Sequence, residues 1–440
     1  MTDQTQPGPD GGGTEADENR AGQGFTLATV AVVEEGGNLA AQVVHLKVSI
    51  EADDPADVAA SLEVLGLSGD QVENLVARAV ADGLGSRSEP RVEPVEIRAE
   101  GSGDERRWRI ALGESGVVGD VPHMVVRTSS AAEVADRVLG LVTYRQLYRS
   151  APARLHGGAV AREDGSTALV LGVSGAGKST LTAHLVALGH ELLTDEQVAV
   201  HPAQGVVAGF TRPMASKEGG TAYLPEPLGS ELADATGTTL VPVSRLGGRH
   251  RLTGRPALVV LVGRDADATP GVEVLGPVQA AQALMDNNLD LVANPVDALS
   301  AFGWLVTTVP VVRVRYRTSA EGAQAVAELL AEPPSAPAGD WWVWPDTVSD
   351  TPSEGSSYPG DTAEATGTSG KRFEAAPGAY ALGLDGGALI LNAGTEQVLA
   401  VNETGAGLWA SLPTDEWPDV DAVREFESTL RQAGLLAPRP

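Results

Sequence analysis

The sequence lacks cysteine and has little positive charge, and each absence excludes a class of protein. With no cysteine among its 440 residues, the chain can form no disulfide, no thiolate zinc site and no cysteine nucleophile. Acidic residues outnumber basic ones 59 to 31, which gives a formal net charge of −28. Because nucleic acids and anionic membranes are bound mainly through Lys and Arg, we expect this chain to bind neither.

Long apolar runs are missing as well. No stretch approaches the roughly 20 consecutive apolar residues that a membrane-spanning helix needs. The beginning of the chain is polar and rich in glycine, so it does not resemble a signal peptide. It also has too few apolar residues to bury a core, and we expect a disordered tail over residues 1–24 of a cytoplasmic protein.

Changes in composition divide the rest of the chain into four segments. We expect an N-terminal α/β subdomain over residues 25–150, a P-loop domain over 151–331, a flexible linker over 332–372 and a small domain over 373–440. Proline, serine and glycine are frequent in the linker, which is typical of a tether. Trp341, Trp342 and Trp344 are unusual there, and they either dock on a neighbouring domain or form a patch that contacts a substrate.

Apolar patterning predicts the main elements of these segments. Phe25–Val33 and Ala41–Ile50 alternate as strands do. Asp57–Leu84 carries apolar residues at helical spacing, with a break near Gly66. Glu191–Val200 has the pattern of a single strand.

A phosphate-binding loop stands out in the middle of the chain. Residues Gly172–Ser179 fit the pattern G-x-x-x-x-G-K-[ST] in full. An apolar run precedes the loop and a helical pattern follows it, so that backbone N–H groups and a helix N-terminus can face phosphates. Lys178 can then reach the β- and γ-phosphates of ATP, and Ser179 can ligate Mg²⁺. The motif predicts nucleotide contacts at Gly172, Ser174, Gly175, Ala176, Gly177, Lys178, Ser179 and Thr180.

Two adjacent acids lie on the next predicted strand. In that position an acid can hold Mg²⁺ or accept a proton from an attacking hydroxyl. We therefore expect Asp195 and Glu196 to be catalytic together with Lys178, and to share the metal with Ser179. His156, which precedes the loop, is expected to orient the γ-phosphate or the acceptor.

Two basic residues further along are candidate contacts to phosphate or substrate. Arg212 and Lys217 lie in one short stretch, and lysine occurs only at positions 47, 178, 217 and 371 of the chain. A cation close to the γ-phosphate stabilises the charge that develops during transfer. The alternative is that both are loop charges without a chemical role.

These residues resemble the catalytic domain of the HPr kinase/phosphorylase family. The match extends over Ala151–Ala331 and is best in three runs, Leu155–Gly157, Leu171–Thr180 and Leu188–Val198. The resemblance implies a fold related to phosphoenolpyruvate carboxykinase and transfer of phosphate from ATP and Mg²⁺ to a hydroxyl, usually that of serine. It also implies that Asp195 accepts the proton. Glu196 stands where the family has a second aspartate, so the division of roles between the two acids is left open.

The last segment is similar to PqqD-like peptide-recognition domains over Gly387–Trp409. Those domains are small winged helix-turn-helix units of the α+β class, which bind a leader peptide as an added strand at a sheet edge. The resemblance implies a helix near Val423–Leu435 and a peptide-binding edge at Val398, Leu399, Ala400 and Val401. The alternative is a winged-helix domain for dimerisation or DNA binding, and the net charge argues against DNA.

Together the two resemblances imply a kinase that phosphorylates a ribosomally synthesised precursor peptide whose leader is held by the C-terminal domain. An ATP-binding or ATP-hydrolysing module that presents a peptide to another enzyme is the alternative. A third hypothesis is a protein kinase that regulates carbon metabolism. The sequence leaves open the acceptor residue, the number of phosphates added and whether the chain forms a homo-oligomer.

The assigned role of Asp195 gives a first prediction. Asp195→Asn should abolish phosphate transfer while ATP still binds, because the amide accepts no proton and the loop is untouched. Transfer is measured by mass spectrometry of the acceptor, and ATP binding by calorimetry. Full transfer by this variant would contradict the role.

Overall fold

A computed structural model of the chain describes residues 23–437 except for 53–54, 102–105, 114–123, 148–150, 152, 265–266, 268, 290, 292–293, 346–372 and 416. Over these residues the chain has a mixed α/β structure built on several sheets. No helix in this part is long and apolar enough to cross a membrane. The expected tail lies outside the described residues up to residue 22, but Gln23 and Gly24 already belong to the first strand.

The N-terminal unit is a sheet with helices packed on it. Its elements are β1 (Gln23–Glu35), β2 (Asn38–Glu51), α1 (Ala56–Glu63), α2 (Gly69–Ala81), β3 (Ser86–Glu100), β4 (Arg107–Leu112), β5 (Met124–Thr128) and α3 (Val134–Leu147). The strands are adjacent in chain order, and β2 and β3 are parallel because α1 and α2 form the crossover between them. The predicted strands and the broken helical stretch are confirmed as β1, β2, α1 and α2. Strand β3 escaped prediction because Pro90 and Pro94 interrupt its pattern.

The P-loop unit follows. Its elements are β6 (Ala153–Ala161), β7 (Ser166–Leu171), α4 (Lys178–Ala187), β8 (Glu191–Thr194), β9 (Gln197–His201), β10 (Val206–Ala208), β11 (Met214–Ser216), α5 (Leu228–Glu231), β12 (Thr239–Val241), β13 (Thr253–Arg264), β14 (Gly271–Val274), α6 (Pro277–Met285), α7 (Pro295–Thr308), β15 (Val311–Tyr316) and α8 (Ser319–Ala331). Its main sheet has the order β10-β9-β6-β7-β13-β15-β14, and β8 pairs with β6.

Strand β7 lies at the centre of this sheet. Residues 167–171 have no exposed surface, because α4 and α8 cover one face of the sheet while α6 and α7 cover the other. Strands β7, β13 and β15 are parallel, so their carboxyl ends meet at one edge. The P-loop motif begins at this edge, directly after β7.

The expected single strand over Glu191–Val200 is wrong. The chain turns between β8 and β9, and both strands pair with β6. The hydroxyl of Thr194 accepts hydrogen bonds from the backbone N–H groups of Glu196, at 3.2 Å, and Gln197, at 3.4 Å. A threonine side chain that satisfies backbone donors in this way favours a turn over a continuous strand. The turn brings the acid pair to the same edge as the P-loop motif.

The C-terminal unit has the elements β16 (Trp342–Trp344), β17 (Ala379–Leu384), β18 (Gly387–Asn392), β19 (Gln397–Asn402), α9 (Glu403–Ala410) and α10 (Asp421–Gln432). The strands form an antiparallel sheet in chain order. The expected linker over 332–372 is therefore wrong at its beginning, because β16 pairs with β17 and becomes part of this sheet. The rest of that linker, from residue 346, lies outside the described residues.

The three tryptophans dock on neighbouring structure. Trp341 packs on Gly303 of α7, where an added Cβ would come within 2.6 Å of the indole. Trp344 meets Trp409 of α9 edge to face, with ring centroids 5.5 Å apart. Leu382 of β17 has no exposed surface and shares an apolar cluster with helix α7. Docking on a neighbouring unit is therefore confirmed for Trp341, whereas Trp342, which lies against Gly383, and Trp344 pack within the C-terminal unit itself. The C-terminal unit is packed against the P-loop unit.

A buried carboxylate joins the N-terminal and P-loop units. The Glu191 side chain is 2% exposed and forms ion pairs with three arginines. One is Arg78 of α2. The others are Arg249, whose Nε lies 2.5 Å from the carboxylate, and Arg251, whose Nη1 lies 3.0 Å from it. Arg251 also reaches Asp82, directly after α2, at 2.8 Å. Burial raises the pKa of Glu191, but hydrogen bonds from Arg78 and Arg251 outweigh it, and the pKa lies below its ordinary value.

Replacing this carboxylate should destabilise the protein. We expect Glu191→Gln to lower the free energy of unfolding by about 3 kcal/mol, because the arginines around it lose a buried partner. Urea unfolding measures the change, with Glu163→Gln on the surface as the matched control. Because the folded pKa is depressed, the advantage of the wild type should be present above the ordinary Glu pKa and shrink as the pH falls through the folded pKa. Equal stability of the two variants at pH 7 would refute the prediction.

Candidate functional site

The P-loop motif has the backbone that a phosphate-binding loop requires. Gly172, Gly175 and Gly177 have φ angles of +148°, +84° and +91°, a region that favours glycine and lets successive N–H groups point inward. The Lys178 ammonium crosses the loop and donates to the carbonyl oxygens of Gly172, at 2.7 Å, and Val173, at 3.3 Å. Burial lowers the pKa of Lys178, an effect that Glu196 opposes.

The loop has space for a ligand. Val173, Ser174 and Gly175 are exposed, and an added Cβ at Gly175 would meet nothing within 4 Å. Helix α4 begins at Lys178, so its N-terminus faces the same space. Ser179 and Thr180 lie half-buried in its first turn. The residues present therefore fit the phosphate chain of a nucleotide.

Asp195 is buried in an ion pair. Its carboxylate Oδ1 lies 3.1 Å from Nε of Arg212, and neither side chain is more than 3% exposed. Its Oδ2 accepts a hydrogen bond of 2.7 Å from the backbone N–H of Ala215. Burial raises the pKa of Asp195 above its ordinary value, although Arg212 and Ala215 oppose this. A carboxylate enclosed in this way holds Arg212 and the strand beyond it in place.

Glu196 is the accessible acid of the pair. Its side chain is 39% exposed and lies 3.8 Å from Nη2 of Arg212 and 3.8 Å from Nδ1 of His156. Its charge also acts on Lys178. The expectation that Asp195 accepts the proton stays a prediction, but the geometry puts Glu196 and not Asp195 at the mouth of the loop.

His156 lies between the acid pair and the loop. It stands in β6, one residue before Gly157, which pairs with Leu171 at the end of β7. An added Cβ at Gly157 would come within 2.5 Å of the Val170 carbonyl, so only glycine allows the strands to approach this closely. Burial and the charge of Lys178 lower the pKa of His156, which favours the neutral imidazole.

The predicted residues of the P-loop unit converge on one edge of the sheet. Lys217 is exposed, and its charge lowers the pKa of both Lys178 and His156, so it lies close to them. The described residues hold no group of three or more His, Asp or Glu side chains arranged around a metal. Mg²⁺ that arrives with a nucleotide needs only one or two protein ligands, and the hydroxyl of Ser179, in the first turn of α4, fits that requirement. The predicted peptide-binding residues, 398–401, lie apart in β19 of the C-terminal unit.

Two residues at the site were missed by sequence reasoning. Asn287, just beyond α6, accepts a hydrogen bond from the Gly172 N–H through Oδ1, at 3.1 Å, and one from the His156 N–H through its backbone oxygen, at 2.6 Å. Asp136 of α3 interacts electrostatically with Arg212 and Glu196. Neither belongs to a motif, and only the tertiary fold brings them to the loop.

Comparisons with known proteins add little to this geometry. No family model and no curated protein matches the chain. Among solved structures, it is similar to the Hpr(Ser) kinase/phosphatase from Coxiella burnetii at 12% sequence identity, with a TM-score of 0.23, over 40% of this chain and 93% of that one. A likeness this low carries no argument about fold or function.

The contacts of Asn287 give a prediction for nucleotide binding. Asn287→Ala removes the acceptor of the Gly172 N–H and leaves a partly buried donor unpaired at the start of the loop. We expect the affinity for ATP to fall about tenfold, as measured by calorimetry. Asn294→Ala, an exposed asparagine whose side chain makes no capping bond, is the matched control. Unchanged ATP affinity in Asn287→Ala would show that the loop does not depend on this contact.

Proposed function

We propose that this chain is an ATP-dependent kinase that phosphorylates a hydroxyl group, that of a serine in a ribosomally synthesised precursor peptide. One observation carries the proposal. The P-loop motif, with Lys178 across it, opens towards an accessible carboxylate, Glu196, that is flanked by His156 and Arg212. A bound triphosphate and an incoming hydroxyl would meet at this point.

Each residue has a distinct part in the transfer. Lys178 and the loop N–H groups bind the β- and γ-phosphates, and Ser179 holds Mg²⁺, which neutralises their charge. The hydroxyl oxygen attacks the γ-phosphorus, the bond from that phosphorus to the β–γ bridging oxygen breaks, and ADP leaves. In this proposal Glu196, the exposed acid, accepts the hydroxyl proton in place of Asp195, the acceptor that the family resemblance implies. Asp195 acts indirectly, by fixing Arg212.

The C-terminal unit offers an edge for a peptide. Strand β19 pairs with β18 on one side, and within the described residues no strand pairs with its other side. The opposite edge strand of the sheet is β16, which packs against α7. The side chains of Val398, Leu399 and Val401 are half-buried, and Phe426 of α10 lies beside Gly405, next to Val401. These features support the capture of a leader peptide as an added strand.

Packing between the C-terminal unit and the P-loop unit would help to deliver the captured peptide to the loop. Strands β16 and β17 pack against α7, and β18 packs against α6, so a leader held at β19 has a fixed position relative to the loop. A peptide held in this way meets the P-loop at a high effective concentration, provided that its length spans the two sites.

A second candidate function is an ATP-driven module that presents a peptide to another enzyme. It is favoured by the position of Asn287, which lies directly after α6 and forms hydrogen bonds with Gly172 and His156. Helix α6 itself packs against β18 of the C-terminal unit. A change at the loop on hydrolysis would reach the C-terminal unit along this route.

Intact-mass spectrometry of a synthetic precursor peptide, incubated with the full chain, ATP and Mg²⁺, tests the kinase. We expect a gain of one or more phosphates in the wild type and none with Lys178→Ala, because the loop loses its only lysine. Glu196→Gln should still bind ATP, because Lys178 and the loop are unchanged, and should lower kcat by about 100-fold or more, since it removes the proton acceptor.

The matched control is Lys47→Ala, an exposed lysine of β2 far along the chain from the loop. It should phosphorylate the peptide at the wild-type rate. ATP hydrolysis without any gain in peptide mass would favour the presenting module. Full phosphorylation by Lys178→Ala would contradict the role of the P-loop lysine, and a wild-type chain that neither binds nor hydrolyses ATP would rule out both functions.

A further inference from the structure

One segment of the chain, residues 212–223, passes around the P-loop helix. It begins at Arg212, on the side of the acid pair, and continues through β11, which packs against α4. It ends in a 3-10 turn at Tyr223, whose backbone oxygen lies 3.0 Å from Nε2 of His184 on α4. The segment therefore connects the mouth of the loop to the opposite side of the helix.

An exposed aromatic ring and an arginine meet at that far side. The Arg264 guanidinium carbon lies 4.2 Å from the centre of the Tyr223 ring. Tyr223 is nevertheless 51% exposed, so a large part of its surface remains open to a ligand. A cation over an aromatic face orients the ring and leaves its other face available for stacking.

Tyr223 and Arg264 lie next to the P-loop motif because of the direction in which the strands of the sheet run. Arg264 ends β13, which runs parallel to β7, so it reaches the same edge as the P-loop motif. Its Cδ lies 3.8 Å from the place where a Cβ on Gly177 would stand, and the Tyr316 hydroxyl is 3.5 Å from the same point. Tyr223 and Arg264 thus flank the N-terminus of α4, on the side away from Glu196.

A loop that binds a nucleotide needs room for both ends of that nucleotide, the γ-phosphate and the nucleoside. In the proposed reaction the γ-phosphate points to Glu196 and His156, where transfer takes place. The nucleoside then leaves the loop past the first turn of α4, and an aromatic ring with an open face is the group that stacks on a base in proteins. The guanidinium beside it suits the negative charge of a phosphate.

We propose that Tyr223 and Arg264 form the nucleoside-binding part of the ATP site, with the base stacked on Tyr223 and Arg264 in contact with the α-phosphate. This inference rests on the proposed function, since it takes the P-loop motif to bind ATP. It assigns two ligand-binding residues that belong to no sequence motif.

The test compares ATP with inorganic tripolyphosphate, a probe that has the phosphates and no nucleoside. Calorimetry on the full chain with Mg²⁺ gives the Kd for each. Tyr223→Ala should raise the Kd for ATP about tenfold, since stacking is lost, and leave the Kd for tripolyphosphate unchanged. Tyr223→Phe keeps the ring and should bind ATP within about twofold of the wild type. Arg264→Ala should raise the Kd for ATP about tenfold, since the contact with the α-phosphate is lost.

Tyr144→Ala is the matched control, because Tyr144 also carries an arginine, Arg154, over its ring, at 5.0 Å, but lies in α3 of the N-terminal unit. It should bind both probes as the wild type does. Lys178→Ala should weaken the binding of both ATP and tripolyphosphate. If Lys178→Ala weakens ATP and Tyr223→Ala does not, the nucleoside site is wrong and the P-loop function stands. If Lys178→Ala changes neither probe, the proposed function fails and the inference fails with it.

Discussion

The buried ion pair between Arg212 and Asp195 is the contact on which the geometry of the site depends. Both side chains are enclosed, and a charge buried without its partner would be strongly unfavourable, so each side chain fixes the other. The pair holds the turn after β8 in place, and that turn leaves Glu196 exposed at the loop. Thr211, next to Arg212, exchanges hydrogen bonds with Val30 of β1, at 3.0 Å. The N-terminal unit therefore supports the geometry of the candidate site without supplying the P-loop motif.

The contiguous parts of the site could be predicted from the sequence, and the long-range parts could not. The glycines and the lysine of the loop are tied to phosphate binding by local backbone geometry, so their pattern is visible along the chain. Which acid is accessible is different, because it depends on the burial of Asp195 by Arg212. Asn287 reaches Gly172 across 115 positions. Such a contact depends on strand order, which local patterns do not specify.

The errors in the fold have the same origin. Composition indicated a tether around Trp342–Trp344, but pairing with β17 and the packing of Trp341 on α7 outweigh the local preference for an irregular chain. The prolines of β3 hid a strand that long-range pairing with β2 stabilises. In both cases tertiary contacts override composition, whereas the burial of β7 on both faces requires an apolar run that the sequence itself displays.

The two candidate functions make opposite demands on one hydrogen bond. Helix α6 packs against β18 of the C-terminal unit, and Asn287, just beyond it, binds the Gly172 N–H. A kinase needs this contact to persist, because the loop must hold its shape through transfer. A module that presents peptides needs it to change with the nucleotide state, since coupling requires an element with two arrangements that both sites bias. Hydrogen exchange at Gly172, compared with ADP and with an ATP analogue bound, therefore separates the two functions at the level of mechanism.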